Sequence, residues 1–246
     1  MRVLIACEES QAVTIAFREL GHEAYSCDIQ ECSGGHPEWH IKGDVIPLLN
    51  EKWDMLIAHP PCTYLSNAGI GWFNEEKYGD KARLRKELRE EALQFFLKFA
   101  NCGIPKICIE NPTGYANSHF RKPDQTIQPW MFGDPESKRT CLWLTGLPKL
   151  QATDIVSPRV HAYYKNGKKK GQPIYWSSYM MFGEERAKAR SKTFPGIAKA
   201  MAQQWSPPCS PTLPAPDKGD SPAFQPLSTP KVDSDLGNES QPALCG

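Results

Sequence analysis

Short apolar runs alternate with stretches of helical periodicity along most of the chain. Residues 2–7 (RVLIAC) form an apolar run of the length of a buried parallel strand. Residues 10–20 carry a helical pattern that Gly21 ends. A second strand over 23–27 runs into Asp28, and a third over 53–58 (WDMLIA) runs directly into His59-Pro60-Pro61-Cys62. The spacing over 81–100 predicts a long amphipathic helix with Leu84, Leu88, Ala92, Phe95, Phe96 and Phe99 on one face. The strand over 106–109 ends at Glu110-Asn111-Pro112, and another over 140–145 follows the turn Gly133-Asp134-Pro135. Strands alternating with helices predict an α/β fold with a doubly wound, mostly parallel sheet. Such sheets bind ligands outside the carboxyl ends of their strands. Glu8, Asp28, Cys62 and Glu110 all fall just past predicted strand ends, so the pattern gathers four polar groups on one rim.

Composition adds a boundary and a charge asymmetry. With 246 residues, 40% hydrophobic and 23% charged, the chain has the material for a packed core, which excludes wholesale disorder. The last 41 residues hold nine prolines and few apolar side chains, and read as a disordered tail over 206–246. The net charge of +1 hides a segregation: residues 1–136 sum to −6, 137–205 to +10, and the tail to −3. A basic second half points to a polyanionic partner for that half. No apolar run approaches the roughly 18 residues of a membrane span. The amino terminus turns acidic after its first apolar run and does not read as a secretory signal. The nine cysteines lack a repeated C-x-x-C frame and read as reduced thiols, so a cytoplasmic protein without membrane association is expected.

Two positions carry candidate chemistry. Cys62 follows two stiffening prolines at a strand-to-loop junction, which suits an exposed nucleophile, although a buried inert thiol is the ordinary fate of a free cysteine. Glu110 ends an apolar strand, where partial desolvation would raise its pKa and let it donate a proton; a helix cap or surface acid is the plainer reading.

In order and spacing, these residues resemble the DNA cytosine carbon-5 methyltransferases. The nucleophile motif Pro-Cys-x-x-x-Ser-x-x-Gly of that family is matched by Pro61, Cys62, Ser66 and Gly69. Its Glu-Asn-Val motif is matched by Glu110-Asn111, with Pro112 in place of Val. Gly43-Asp44-Val45 matches the segment before the nucleophile strand, and Phe132-Gly133-Asp134-Pro135 a downstream turn. The resemblance implies a sheet of the S-adenosylmethionine-dependent methyltransferase type over 1–146, with S-adenosylmethionine as cofactor and DNA as partner of a monomer. Cys62 would add to carbon-6 of cytosine, and Glu110 would protonate or hydrogen-bond ring N3. In duplex DNA the base must first leave the stack. Cys7, Glu8, Asp28, Asp44 and Pro61 would border the cofactor, Asp28 at the ribose hydroxyls, Asp44 at the adenine and Glu8 at the amino group.

The sequence departs from the family in three places. Cys7-Glu8-Glu9-Ser10 stands where the family has Phe-x-Gly-x-Gly, with no glycine for close backbone approach. The family's Gln-x-Arg-x-Arg run reads here as Glu136, Lys138 and Thr140, with Arg139 one place out of register. Lys138 and Arg139 cannot both point inward; Arg139, whose guanidinium forks onto an anion or carbonyl, is assigned to the catalytic pocket, and Lys138 with Ser66 to DNA. The family's recognition domain shrinks to a basic region over 147–192, where Lys165, Lys168, Lys169 and Lys170 lie among Tyr163, Tyr164, Tyr175 and Trp176. That mixture suits phosphate neutralisation and base stacking, a solvated lysine loop being the alternative. Residues 193–205 read as the closing helix that packs back on the core.

Three rival functions stay open. An exocyclic-amine methyltransferase uses an Asp/Asn/Ser-Pro-Pro-aromatic loop, which residues 58–62 echo only loosely. Thymidylate synthases also place a nucleophilic cysteine after prolines and act on free nucleotides. A DNA-binding relative without catalysis would follow from the altered first loop. Cys27, Cys32, His36 and His40 do not guarantee a tetrahedral zinc site, and no metal is assigned. Restriction-linked protection and phage DNA modification are both compatible settings.

Overall fold

The computed structural model describes residues 1–175 and 192–207. Trp176 and the rest of 176–191 in the basic region, and the expected tail beyond Pro207, lie outside the described residues. Seven strands form one sheet: β1 (Arg2–Ala6), β2 (Glu23–Asp28), β3 (His40–Lys42), β4 (Met55–Ala58), β5 (Ile107–Pro112), β6 (Gln125–Ile127) and β7 (Thr140–Thr145). Their spatial order is β3-β2-β1-β4-β5-β7-β6. The first five are parallel, β7 runs antiparallel to β5, and β6 antiparallel to β7. From β1 the chain winds outward through β2 and β3, then returns to β4 on the other side and winds through β5. The switch point therefore lies between β1 and β4, where a doubly wound sheet opens its ligand crevice.

Alternation of side chains across the pleat builds two cores. Val3, Ile5, Met55, Ile57 and Leu142 face α1 (Ala12–Glu19) and α5 (Pro195–Trp205), which bury Phe17, Met201 and Trp205. Leu4, Leu56, Ile109 and Trp143 face the opposite way, against α3 (Asp80–Ala100), which buries Leu93, Phe96 and Phe99. Two single-turn helices, α2 (Glu75–Tyr78) and α4 (Ala116–His119), flank it. Beyond β7 an antiparallel pair, β8 (Val160–Tyr163) and β9 (Pro173–Tyr175), forms a separate two-stranded ribbon. Among the described residues no helix is long and apolar enough to cross a membrane.

The doubly wound, mostly parallel sheet is the one the pattern predicts. One helix face differs. Leu84 of α3 is 56% exposed, and the core-facing stripe instead runs through Ala82, Leu93, Phe96 and Phe99, with Arg85 and Arg89 half-buried in the middle of it. β4 also starts at Met55, because the Trp53 indole N–H donates to the Leu48 carbonyl and Asp54 accepts from the Arg2 N–H, turning both residues out of the strand.

Candidate functional site

The carboxyl rim is assembled by two segments that grip each other. The loop after β4 carries Pro60, Pro61 and the exposed Cys62, and the end of β5 carries Glu110, Asn111 and Pro112. Buried Asn111 donates from Nδ2 to the Pro60 carbonyl at 2.8 Å, so the residue after Glu110 holds the backbone two residues before Cys62. Further along, the Tyr115 N–H donates to the Leu65 carbonyl at 2.7 Å, and the Asn67 N–H to the Thr113 carbonyl. A Cβ at Gly114 would collide with that Leu65 carbonyl, so only glycine permits the approach. Leu65, 1% exposed, anchors the loop in the core, and Ser66 caps the short helical segment over 67–73 by accepting from the Ala68 N–H. From the other side, Arg85 Nη2 donates to the Thr63 carbonyl and Arg89 Nε to the Tyr64 carbonyl. These two guanidinium groups explain why α3 turns an arginine stripe toward the sheet.

Beneath this loop lies a charged cluster. His59 still ladders onto β1, donating its N–H to the Ala6 carbonyl, and its Nδ1 sits 3.4 Å from Glu110 Oε2. Glu110 is 8% exposed; its Oε1 lies 4.0 Å from Lys138 Nζ, and the Thr193 hydroxyl bonds its carboxylate. Burial pushes the Glu110 pKa up, but His59, Lys138 and Thr193 outweigh it and hold the group below the ordinary carboxylate value. Burial likewise pushes His59 down, but Glu110, with Glu8 behind it and Lys138 opposing, holds the imidazole above its ordinary value. Each group thus favours the charged form of the other. This corrects the expectation that desolvation leaves Glu110 carrying the proton. A second correction concerns register: Lys138 points in at Glu110, and Arg139 is exposed. Thr140 opens β7 with its side chain buried, and alternation puts Lys138 on the same face and Arg139 on the other.

The loop from β1 to α1 takes a glycine-like shape without glycine. Cys7 and Gln11 both adopt left-handed backbone at φ 58°, which costs an L side chain about 1–2 kcal/mol each. Glu8 compensates locally: its carboxylate accepts from the Val13 N–H at 2.7 Å, the Thr14 N–H at 3.2 Å and the Thr14 hydroxyl at 2.8 Å. It thus caps the first turn of α1 from within the core. Burial pushes its pKa up, only partly offset by His59 and these donors. Fully buried Gln11 joins this loop to the next by exchanging hydrogen bonds with the His36 backbone. Glu9 differs from its neighbour: it is 9% exposed, yet among the described residues neither carboxyl oxygen has a hydrogen-bond partner. Half-buried Asp28 ends β2 and accepts from the Gln30 N–H; exposed Asp44 accepts from the Ile46 N–H. Burial first, then the charges of Asp28 and Asp44, pushes the Cys27 thiol up to about 12. Pro61 is exposed beside Cys62, and Cys7 is half-buried at the β1 end.

The rim thus brings Cys7, Glu8, Asp28, Pro61, Cys62, Glu110 and Lys138 to the ends of adjacent strands. Lys168, Lys169 and Lys170 lie elsewhere, exposed in the β8–β9 turn, with Lys169 Nζ 5.7 Å from the Tyr164 ring centroid. The segment leading to that ribbon is tied to the turn before Lys138: Arg159 donates its N–H to the Pro135 carbonyl and pairs with Glu136 at 3.1 Å. The lead into α5 closes the rim. Gly196 N–H donates to Asp134, and a Cβ there would strike the Phe132 carbonyl, so Phe132-Gly133-Asp134-Pro135 is the seat of α5. His36 stacks on Trp39, and His40 Nδ1 contacts the Ser26 hydroxyl at 2.8 Å. Among the described residues no group of three or more metal-ligating side chains converges.

Sequence reading gave no role to Asn111, Thr193, Arg85 or Arg89. Asn111 left its signal in the Glu110-Asn111 motif, and the arginines left theirs as two cations four residues apart within the stripe from Ala82 to Phe96.

No protein-family model matches the sequence, and no curated protein does. Among solved structures, the chain is similar to the Dnmt2 methyltransferase of S. pombe, at 14% identity and a TM-score of 0.36 over 61% of this chain and 50% of that one. It is also similar to a DNMT2 mutant from Spodoptera frugiperda, at 18% identity and a TM-score of 0.38 over 65% of this chain and 57% of that one. The chain thus matches little more than half the length of either protein.

Proposed function

We propose that this protein transfers a methyl group from S-adenosylmethionine to carbon-5 of cytosine in DNA, through a covalent bond from Cys62 to carbon-6. The observation that carries this reading is the Asn111 clamp on Pro60, which locks the Cys62 loop and the Glu110 carboxylate to each other on one rim. Carbon-5 of cytosine is a poor nucleophile until a thiolate has added at carbon-6, and that addition needs a proton or hydrogen-bond donor at N3. A nucleophile and an acid–base group held at fixed separation meet that demand. The four motifs in family order support the same chemistry, which an amine-directed enzyme would not need.

The residues at the switch point fit the cofactor. A buried carboxyl group without partners, Glu9, suits the ammonium of its methionine portion, since burying such a group unpaired is costly. Glu8, expected in that role, is saturated by α1. Asp28 at the end of β2 would hold the ribose hydroxyls and Asp44 the adenine. When bound, S-adenosylmethionine supplies the methyl group. Cys62 bonds the base, Glu110 governs the proton at N3, and Lys138 offsets charge beside it. Lys168, Lys169 and Lys170 would neutralise phosphates, and Ser66 would face the target strand.

Trapping tests the reading. Fluorine at carbon-5 blocks the final elimination, so DNA containing 5-fluorocytosine and labelled S-adenosylmethionine should leave a labelled protein–DNA adduct on a denaturing gel, absent with Cys62→Ala. Methylation that survives Cys62→Ala would point to an exocyclic amine. DNA retention with no cofactor binding and no adduct would point to a binding protein.

A further inference from the structure

His59 stands at the centre of the charged cluster, yet nothing in the proposed chemistry uses it. It occupies the position between the last residue of β4 and the two prolines that lead to Cys62, so its backbone is fixed by the sheet on one side and by ring constraint on the other. Its Nδ1 lies 3.4 Å from Glu110 Oε2, and its Nε2 is buried without a hydrogen-bond partner among the described residues. The charged groups around it come from three elements: Glu8 from the β1–α1 loop, Glu110 from β5 and Lys138 from the segment entering β7, with the Thr193 hydroxyl on the far side of Glu110. Two carboxyl groups and one amine thus flank a single buried imidazole. Of these, Glu8 is committed to the α1 amides and Lys138 stands off at 4.0 Å from Glu110, leaving the 3.4 Å His59–Glu110 ion-pair contact, which must tighten to a hydrogen bond for a proton to pass.

We infer that His59 is a positioning residue that stores the proton of the N3 step and passes it through the Glu110 carboxylate to the cytosine ring; the inference rests on the cytosine carbon-5 reading above. The electron count closes. The Cys62 Sγ–C6 bond forms, the C5–C6 π pair moves to C4–C5, and the C4–N3 π pair moves onto N3. Glu110 takes the His59 Nδ1 proton and hands it to N3. Thiolate becomes thioether and imidazolium becomes neutral imidazole, so no net charge builds in the buried site. Once the methyl group is on C5, water takes the C5 proton, the C5–H pair forms the C5–C6 π bond as C6–S cleaves and the thiolate returns, and the N3 proton goes back through Glu110 to His59. Without His59, Glu110 would have no neighbouring imidazole from which to take the proton that it hands to N3.

The experiment is the pH dependence of adduct formation on 5-fluorocytosine DNA by the full-length protein under single-turnover conditions, for the unmodified chain and for His59→Gln. The unmodified protein should show a bell: a rising limb as the Cys62 thiolate forms, and a falling limb as His59 loses its proton. Glutamine keeps a polar contact to Glu110 but stores no proton, so the rate at the optimum should fall about 100-fold and the falling limb should vanish. A slower variant that keeps the falling limb would show a merely structural histidine and overturn the relay. No adduct from the unmodified protein would overturn the reading itself, and the relay with it. Should His59→Gln fold poorly, imidazole NMR on the unmodified protein and on Glu110→Gln decides. A His59 resonance titrating above its ordinary value, and moving down in Glu110→Gln, is the expected result. One insensitive to Glu110 sinks the proposal.

Discussion

Two neighbouring glutamates in one loop meet opposite fates, and the difference is measurable. Glu8 satisfies three donors at the start of α1, so Glu8→Ala should destabilise the protein by about 1–2 kcal/mol, as loss of a helix cap does. Glu9 buries a carboxyl group that nothing satisfies. Glu9→Gln should therefore leave the thermal midpoint unchanged or raised while weakening S-adenosylmethionine binding about 10-fold or more by calorimetry, for loss of a charge-assisted contact. A lowered midpoint with unchanged affinity would make Glu9 a structural residue. The His59–Glu110 pair gives a pH signature in stability as well. Glu110 is held below its ordinary 4.5, so its contribution is present above that pH and lost as pH falls through the folded value. His59 is held above its ordinary 6.5, so its contribution is full below that pH and lost as pH rises through the folded value. The stability gap between the unmodified protein and Glu110→Gln should therefore be widest between pH 4.5 and 6.5 and narrow on both sides. Denaturant midpoints across that range check it, and a pH-independent gap would refute the ionic pair. At this scale position at strand ends places Cys62 and Glu110 on one rim, where the structure also has them. The inward cation is Lys138 rather than Arg139, because a one-residue offset exchanges the two across the strand, and with Thr140 to Leu144 all buried only the Lys138–Glu110 contact resolves which parity holds.

Elements, unlike single residues, were legible wherever their burial was simple. β1, β4 and the first half of β5 are apolar runs because both faces of the sheet are buried there, and each lies within a few residues of its predicted place. α3 was legible as a helix but not in its facing, since Arg85 and Arg89 take core-side positions that hydropathy alone gives to Leu84 and Leu88. β8 and β9 left no pattern at all: they are short and largely exposed, and only pairing defines them. The functional coupling between elements was equally hidden, because it runs through backbone carbonyls. The β4 loop and the β5 exit dock where Gly114 lies under the Leu65 carbonyl. Gly114→Ala should cost about 1–3 kcal/mol of stability through overpacking, and by displacing the Cys62 loop about an ångström should slow adduct formation on the order of 100-fold. Circular dichroism should still report the intact sheet. Stability lost without the rate effect would mean that the dock supports the fold but not the nucleophile.

Across the whole chain, charge is segregated along the sequence. The half that carries β1 to β5 sums to −6 over residues 1–136, so its rim offers a polyanion no general attraction, while residues 137–205 sum to +10. Within the described part of that basic half, Lys168, Lys169 and Lys170 project from the β8–β9 turn, and the ribbon is braced to the Lys138 turn through Arg159 and Glu136. Under the proposed function, such a division would let the protein gather a nucleic acid by its basic half without binding the polyanion across the acidic half. Affinity would then come mainly from counterion release, which gives a linear fall of log K with log salt, about 0.9 per phosphate neutralised on duplex DNA and about 0.7 on single strands. Replacing Lys168, Lys169 and Lys170 together with alanine should flatten that slope by about 2–3, and weaken binding nearly uniformly across sequences, since phosphate contacts carry no base information. Anisotropy titrations at several salt concentrations, on duplex and single-stranded oligonucleotides of the same sequence, measure both. A slope unchanged by the triple substitution would move the nucleic-acid contact away from the ribbon and onto other basic residues of the same half.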